Sequence, residues 1–278
     1  MMTVQEVADS LGVHYMTAYR YVRQGRLAAT RVGTEWRIHS SDVATFNATA
    51  RRGKARITAD REALERQMLS GDNAGAWWLL QSQLGGGLDP SGVLTEMVVP
   101  VLRSIGERWI SGEVSVAEEH RATAVAQRVI GHLGMQFGRA GKDRGTVALA
   151  APTGDLHVLP VAIVADLLRW RGFDVVELGG NAPADAMGDA VAREERLLAV
   201  GIVSTVNGLD GEVARSASSV HAAVPGIPLF IGGGAVSSEA QARAMGADLW
   251  TGPGPNAAVE TVERIADTTE GRARRSVA

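Results

Sequence analysis

The sequence predicts a multidomain chain of α and α/β class. A winged helix-turn-helix head precedes a four-helix bundle and a five-stranded, doubly wound parallel sheet. Three observations carry this. Two short apolar-periodic segments meet at Gly12 and are followed by two strand-like runs. From about Ala59 to Arg139 the pattern is helical throughout, interrupted at glycines. From residue 145, short apolar runs alternate with helical segments. The expected boundaries are 1–48 for the head, 49–58 for a basic linker, 59–142 for the bundle, 143–268 for the α/β domain and 269–278 for a disordered tail.

Composition narrows the classes. At 278 residues, 45% hydrophobic and 21% charged, the chain is ordinary for a soluble globular protein. It has no cysteine, which excludes disulfide frameworks, thiolate zinc sites and cysteine nucleophiles and fits a reducing compartment. The N-terminus lacks a basic segment followed by an apolar run, and no apolar stretch reaches the ~18 residues that span a bilayer. A cytoplasmic protein with no membrane partner is the expectation. Residues 1–56 carry nine Arg or Lys against Glu6, Asp9, Glu35 and Asp42, a net of +5. Since the whole chain stands at −3, the rest carries −8. A basic head on an acidic body points to an anionic partner for the head alone.

In the head, Val4, Val7, Ala8 and Leu11 recur at helical spacing after Thr3, an N-cap with Glu6 three residues on. Gly12 ends that helix. A second, over about His14 to Arg23, sets Tyr15, Thr17, Arg20 and Arg23 around its polar surface, and Gly25 stops it. Two short helices at a glycine turn form the unit that lays its second helix in the DNA major groove. Two short strands then surround Val32-Gly33-Thr34, making a wing whose Arg31 and Arg37 reach backbone phosphates. Ser41-Asp42 begins a third helix. Residues 49–58 show no apolar periodicity and read as the basic linker.

The bundle helices are expected at about 60–70, 73–84, 90–110 and 115–138, in up-down order. Trp77 and Trp78 are adjacent, so one is assigned to the core and the other to a packing edge. Trp109 closes one helix, Ser115 caps the next, and Glu119-His120 lie in its first turns. From the residues alone these either roof a polar pocket or serve as helix-terminal charges beside a core tryptophan.

In the C-terminal half, strands are expected at 147–150, 175–178, 198–204, 229–231 and 248–250. Helices follow near 158–171, 183–195, 210–223, 237–245 and 256–266. This alternation implies a flavodoxin-like parallel sheet covered on both faces, with ligands beyond the strand C-termini. The loops there carry Thr153 to His157, Gly179-Gly180-Asn181, Ser204-Thr205 and Gly232-Gly233-Gly234. A nucleotide site would open the first helix with Gly-x-Gly-x-x-Gly; Asp155-Leu156-His157 stands there instead. A phospho-acceptor sheet needs a lysine, and the last lysine is Lys142. Asp155 can accept the proton of one ring nitrogen of His157 and raise the basicity of the other, the arrangement of a metal-ligating histidine. By itself Asp-x-His also describes a solvated loop histidine. Ser204 and Thr205 add hydroxyls to the crevice, and the glycine triplet adds a surface free of side chains.

Two resemblances follow from these motifs. Thr3-Val4-Gln5-Glu6-Val7-Ala8, Thr17 through Leu27, Arg31-Val32-Gly33 and Trp36-Arg37-Ile38 resemble the excisionase-type, MerR-related DNA-binding heads over residues 3–46. The resemblance implies double-stranded operator DNA as partner and base reading by residues 14–23. Asp155-x-His157, Ser204-Thr205 and Gly232-Gly233 on a sheet preceded by a helical bundle resemble the cobalamin-binding modules of methionine synthase and corrinoid proteins. With the head, the chain resembles the CarH/LitR group of adenosylcobalamin-dependent, light-responsive repressors over about residues 3–265. That group carries Trp-x9-Glu-His, matched by Trp109, Glu119 and His120.

This resemblance implies His157 as the lower axial ligand to cobalt, with the displaced nucleotide tail of the cofactor among Ser204, Thr205, Gly232, Gly233 and Gly234. It implies that Trp109, Glu119 and His120 enclose the adenosyl group. It further implies a repressor, not an enzyme, that couples the state of adenosylcobalamin, through photolysis of its Co–C bond, to self-association as dimer or tetramer and to operator binding. There are two departures. Asp-x-His-x-x-Gly ends in Pro160, which the first turn of a helix tolerates. The His that follows the bundle Trp in that group is Ile110 here, with His120 and His132 as candidate substitutes. The departure keeps a light-independent cobalamin or redox sensor open. A corrinoid methyl carrier is the third reading, and the head argues against it.

Overall fold

Thr3 opens the first helix, α1 (Val4–Leu11), with a capping box. Its hydroxyl accepts from the Glu6 N–H at 3.2 Å while the Glu6 carboxylate accepts from the Thr3 N–H at 2.7 Å. The structure, a computed structural model, describes residues 1–23, 25, 27–137 and 144–276, without the side chains of 48–56 and 270–276. The chain divides into two compact units, Met1–Ala63 and Leu64–Ala278.

In the first unit Gly12, at φ 64°, turns the chain into α2 (Tyr15–Arg23). The wing follows as β1 (Thr30–Val32) and β2 (Glu35–Arg37), antiparallel, with Arg31 opposite Trp36. Val7, Ala8, Ala18, Leu27 and Ile38 are buried together with Val43 of α3 (Ser40–Ser70). The backbone of 49–58, read from the sequence as a basic linker, is helical within α3. Apolar periodicity reports burial, not helicity. A run of Ala, Arg and Lys is intrinsically helix-forming without it.

The second unit holds the bundle and the sheet. The bundle consists of the end of α3, α4 (Asn73–Gly85), a broken third helix, and α7 (Val116–Gly134). The third helix starts as α5 (Pro90–Gly92) behind an Asp89 cap. It loosens into i→i+5 bonding over Val93–Val98 and resumes as α6 (Val99–Ile110). Leu80, Leu94, Met97 and Leu133 are fully buried within it. Trp77 lies half-buried against the His132 ring at 5.1 Å, whereas Trp78 is 75% exposed, so neither fills the core assigned to one of them. The expected helix at 115–138 ends at Gly134, and its last residue lies outside those described.

The sheet comprises β3 (Thr146–Pro152), β4 (Asp174–Ala182), β5 (Leu197–Val203), β6 (Leu229–Gly232) and β7 (Leu249–Gly252). The order is β4-β3-β5-β6-β7, all parallel, the flavodoxin-like arrangement expected. The strands alternate with α8 (Val158–Trp170), α9 (Ala184–Val191), α10 (Asp210–Ala223), α11 (Glu239–Ala244) and α12 (Pro255–Ser276). β3 is buried along its whole length, and Gly201 of β5 leaves room for the Phe230 ring, which a Cβ would meet at 2.3 Å. The tail expected to be disordered is helical to Ser276; residues 277–278 lie outside those described. The chain winds from β3 to β4 on one side and then to β5 on the other, so the switch point lies between the C-terminal ends of β3 and β5.

Candidate functional site

At that switch point β3 delivers Asp155 and His157, and β5 delivers Ser204 and Thr205. Asp155 is fully buried. Its Oδ1 accepts from His157 Nδ1 at 2.8 Å and from the His157 backbone N–H at 3.1 Å. Its Oδ2 accepts from the Thr205 backbone N–H at 2.6 Å, and the Thr205 hydroxyl lies 3.0 and 2.9 Å from the two carboxylate oxygens. Burial pushes the Asp155 carboxyl up. The Thr205 N–H, then the His157 ring and N–H and the Thr205 hydroxyl outweigh burial and hold it below the usual carboxylate value. Asp155 is therefore an anion at neutral pH, and the proton on His157 belongs on Nδ1. Nε2 is left as the free lone pair and takes no hydrogen bond among the described residues.

The His157 side chain is 61% exposed and caps no backbone group of α8. Its sequence neighbours Leu156 (73% exposed) and Val158 (39% exposed) are exposed apolar side chains. Pro160 sits in the first turn of α8, which runs unbroken to Trp170, as the sequence argument required.

The glycine triplet follows β6. Gly233 has φ 107°, and a Cβ there would lie 2.1 Å from the Ser204 carbonyl oxygen; Gly234 has open space. A Cβ on Gly232 would meet the Thr251 hydroxyl at 2.3 Å. Ser204 is buried, and its backbone is tied to the Gly232 carbonyl (2.9 Å) and the Ala235 N–H (3.2 Å). The triplet thus lets two loops run in backbone contact at the edge of the crevice.

In the bundle, Ser115 and Glu118 form a capping box that fixes the start of α7. Glu119 accepts from the Thr123 hydroxyl at 2.7 Å and meets His120 Nδ1 at 2.8 Å. Trp109 is 47% exposed and Ile110 80% exposed on the turn before the cap. Among the described residues, no hydrogen bond or ring contact joins the side chains of Trp109, Glu119 and His120 to the Asp155–His157 loop, or Trp109 to Glu119 and His120. Of the two histidines considered in place of the missing one, His120 is bonded to Glu119. His132 donates to the Arg128 carbonyl at 2.9 Å and packs on Trp77.

In the head, Tyr15, Arg20 and Arg23 are exposed on α2, and Thr17 is half-buried. Exposed Met16 shares that surface, although the polar-residue criterion passed over it. On the wing, Arg31 is exposed while Arg37 is paired with Glu35 at 2.7 Å. Sequence reasoning also passed over Asn181 as an individual residue. Its positive φ, 55°, depends on tertiary contacts.

A helix-turn-helix domain family matches residues 1–49, and B12 binding domain families match residues 60–133 and 145–262. The chain joins a helix-turn-helix domain to two B12 binding domains. It is 29% identical over 153 residues to the HTH-type transcriptional repressor CarH of Myxococcus xanthus, covering 54% of this chain and 50% of the repressor. It is 24% identical over 160 residues to the methanol–corrinoid protein of Methanosarcina barkeri, covering 58% of this chain and 62% of that protein. These alignments thus span between half and two thirds of the relatives' lengths. The monomethylamine corrinoid protein of Methanosarcina barkeri shares the fold at TM-score 0.59 and 18% identity, over 72% of this chain and 95% of its own. No helix among the described residues is long and apolar enough to cross a membrane.

Proposed function

We propose that this chain is a DNA-binding transcriptional repressor whose signal is cobalamin, held with His157 as the lower axial ligand to cobalt. The observation that carries this is the Thr205–Asp155–His157 hydrogen-bond chain at the switch point, which leaves Nε2 of an exposed imidazole as a lone pair. Among the described residues no set of three His, Asp or Glu side chains gathers to hold an ion. A single oriented imidazole suits a metal that brings its other ligands in a macrocycle. Leu156 and Val158 offer apolar surface to the face of such a ring, and the glycine triplet beside Ser204 leaves the crevice edge free of side chains for an extended tail.

Within this reading Asp155 holds the Nδ1 proton and Thr205 holds Asp155. Trp109, Glu119 and His120 cover the upper side. Bound adenosylcobalamin supplies a cobalt–carbon bond that light breaks. Cofactor occupancy biases self-association as dimer or tetramer, and pairing the heads raises operator affinity through effective concentration. Tyr15, Thr17, Arg20 and Arg23 read the major groove, while Arg31 and Arg37 hold phosphates. A helix-turn-helix domain ahead of the B12 binding domains supports regulation over methyl transfer.

Ile110 favours a second reading, in which the same occupancy is sensed without photochemistry. To test both, the protein is loaded with adenosylcobalamin in darkness, and its mass and its retention of duplex DNA selected from a random pool are compared before and after illumination. A change on illumination supports the light switch. A difference between loaded and cofactor-free protein that light does not alter supports the second reading. Identical mass and retention in all three states contradict the proposal.

A further inference from the structure

Asn181 is the one non-glycine residue at positive φ among the described residues. It lies near the end of the edge strand β4, and its backbone N–H and side-chain oxygen engage the loop that precedes His157. Its backbone N–H donates to the Asp155 carbonyl at 2.7 Å, and its side-chain Oδ1 accepts from the Gly154 N–H at 2.8 Å. On one side of it, the Thr153 hydroxyl donates to the Ala182 carbonyl at 3.3 Å. On the other, Gly180 comes so close that a Cβ would stand 3.1 Å from the Asp155 oxygen and 3.2 Å from Val158 Cγ1. The pairing of β3 with β4 slips between Leu149 and Ala150 and again between Ala150 and Pro152. Irregularities of this kind re-aim side chains beside functional sites. Here they accompany a strand end that grips the loop from Thr153 to Val158.

Asp155 is thus gripped twice. Thr205 from β5 holds its carboxylate, and Asn181 from β4 holds its main chain together with that of Gly154. The imidazole that Asp155 orients can keep one direction only if both grips hold. The left-handed conformation explains the residue type. Asparagine tolerates it better than other residues with side chains and keeps an amide oxygen available, which glycine does not.

We propose that Asn181 is a positioning residue for His157, setting the direction from which the imidazole meets cobalt. This rests on His157 being the lower ligand. The variants are Asn181→Gly, which adopts the positive φ without strain and loses the side chain with its Oδ1 acceptor, and Asn181→Ala, which loses Oδ1 and strains the backbone. Two readouts apply to the full chain. In cofactor-free protein, amide exchange at Gly154 is expected to accelerate in Asn181→Gly, because its acceptor has gone. At saturating adenosylcobalamin in darkness, the ratio of histidine-ligated to unligated absorption is expected to fall about five-fold in Asn181→Gly, as for loss of one hydrogen bond. In Asn181→Ala it is expected to fall further. If Asn181→Ala does not fold, Asn181→Gly carries the test alone. Unchanged Gly154 exchange, or an unchanged ratio in Asn181→Gly, overturns the proposal. A wild-type spectrum identical to that of His157→Ala overturns the lower-ligand reading instead, and the exchange result still reports on the grip itself.

Discussion

Thr205 donates its backbone N–H to the Asp155 carboxylate at 2.6 Å across the crevice between the first and third strands of the sheet, linking residues 50 apart in sequence. Its hydroxyl lies 3.0 Å from His157 Nδ1 as well as within 3.0 Å of both carboxylate oxygens. A hydroxyl has one proton, and the ionised carboxylate is the stronger acceptor for it. The ring proton of His157 then goes to Asp155 with the threonine oxygen beside it.

Thr205→Val keeps the backbone bond and the approximate shape while removing the hydroxyl. It is expected to cost about 1 kcal/mol in denaturant unfolding of the cofactor-free protein. Asp155→Ala strands the part-buried Thr205 N–H and is expected to cost more, about 1–3 kcal/mol. Equal unfolding midpoints for both variants and the wild type would contradict the geometry.

The glycine triplet offers a comparison between neighbours. Gly233→Ala must place a Cβ against the Ser204 carbonyl at positive φ, with an expected loss of at least about 2 kcal/mol. Gly234→Ala meets open space and should stay within about 0.5 kcal/mol of the wild type. Thermal melts of the two variants check this, and equal losses would refute the backbone contact.

The start of α7 gives a pH-dependent prediction. The Ser115 hydroxyl, then its backbone N–H, hold the Glu118 carboxyl below the usual carboxylate range. A carboxyl lowered in the folded state contributes stability that is present above its unfolded value and lost as pH falls through the folded one. Ser115→Ala should therefore lower the melting temperature at pH 7 through loss of the cap, and the gap to the wild type should narrow in acid. A gap independent of pH would show that Glu118 takes no part.

Much of this was legible in the sequence because it rests on local chemistry. Thr3 with Glu6 and Ser115 with Glu118 are capping boxes spaced by the helix itself. The five sheet strands announced themselves as short apolar runs, and Asp155 and His157 are near enough in sequence to meet on any tight loop. What escaped depends on partners elsewhere in the chain. Neither the carboxylate grip of Thr205 nor the left-handed Asn181 can be inferred without the sheet order that brings β4 and β5 to either side of β3. The helical backbone at 49–58 and 269–276 escaped for another reason, since a helix with no apolar stripe leaves no periodic mark.

For the head, a phosphate-contacting arginine contributes about one unit to the salt dependence of DNA binding. Exposed Arg31→Ala should reduce the slope of log affinity against log salt by about 1. Arg37→Ala should reduce it less, because Arg37 is already paired with Glu35 at 2.7 Å. Fluorescence titrations of a fixed duplex across salt concentrations read both slopes, and a larger effect at Arg37 would reverse the assignment.

The central claim is that His157 binds cobalt, and the absorption spectrum of His157→Ala saturated with adenosylcobalamin in darkness tests it most directly. The account predicts that the wild type holds the cofactor with a histidine-ligated spectrum. The variant, still folded, should return it to the spectrum of cobalamin bearing its own base or water below. A variant that binds adenosylcobalamin with the wild-type spectrum and affinity would contradict it.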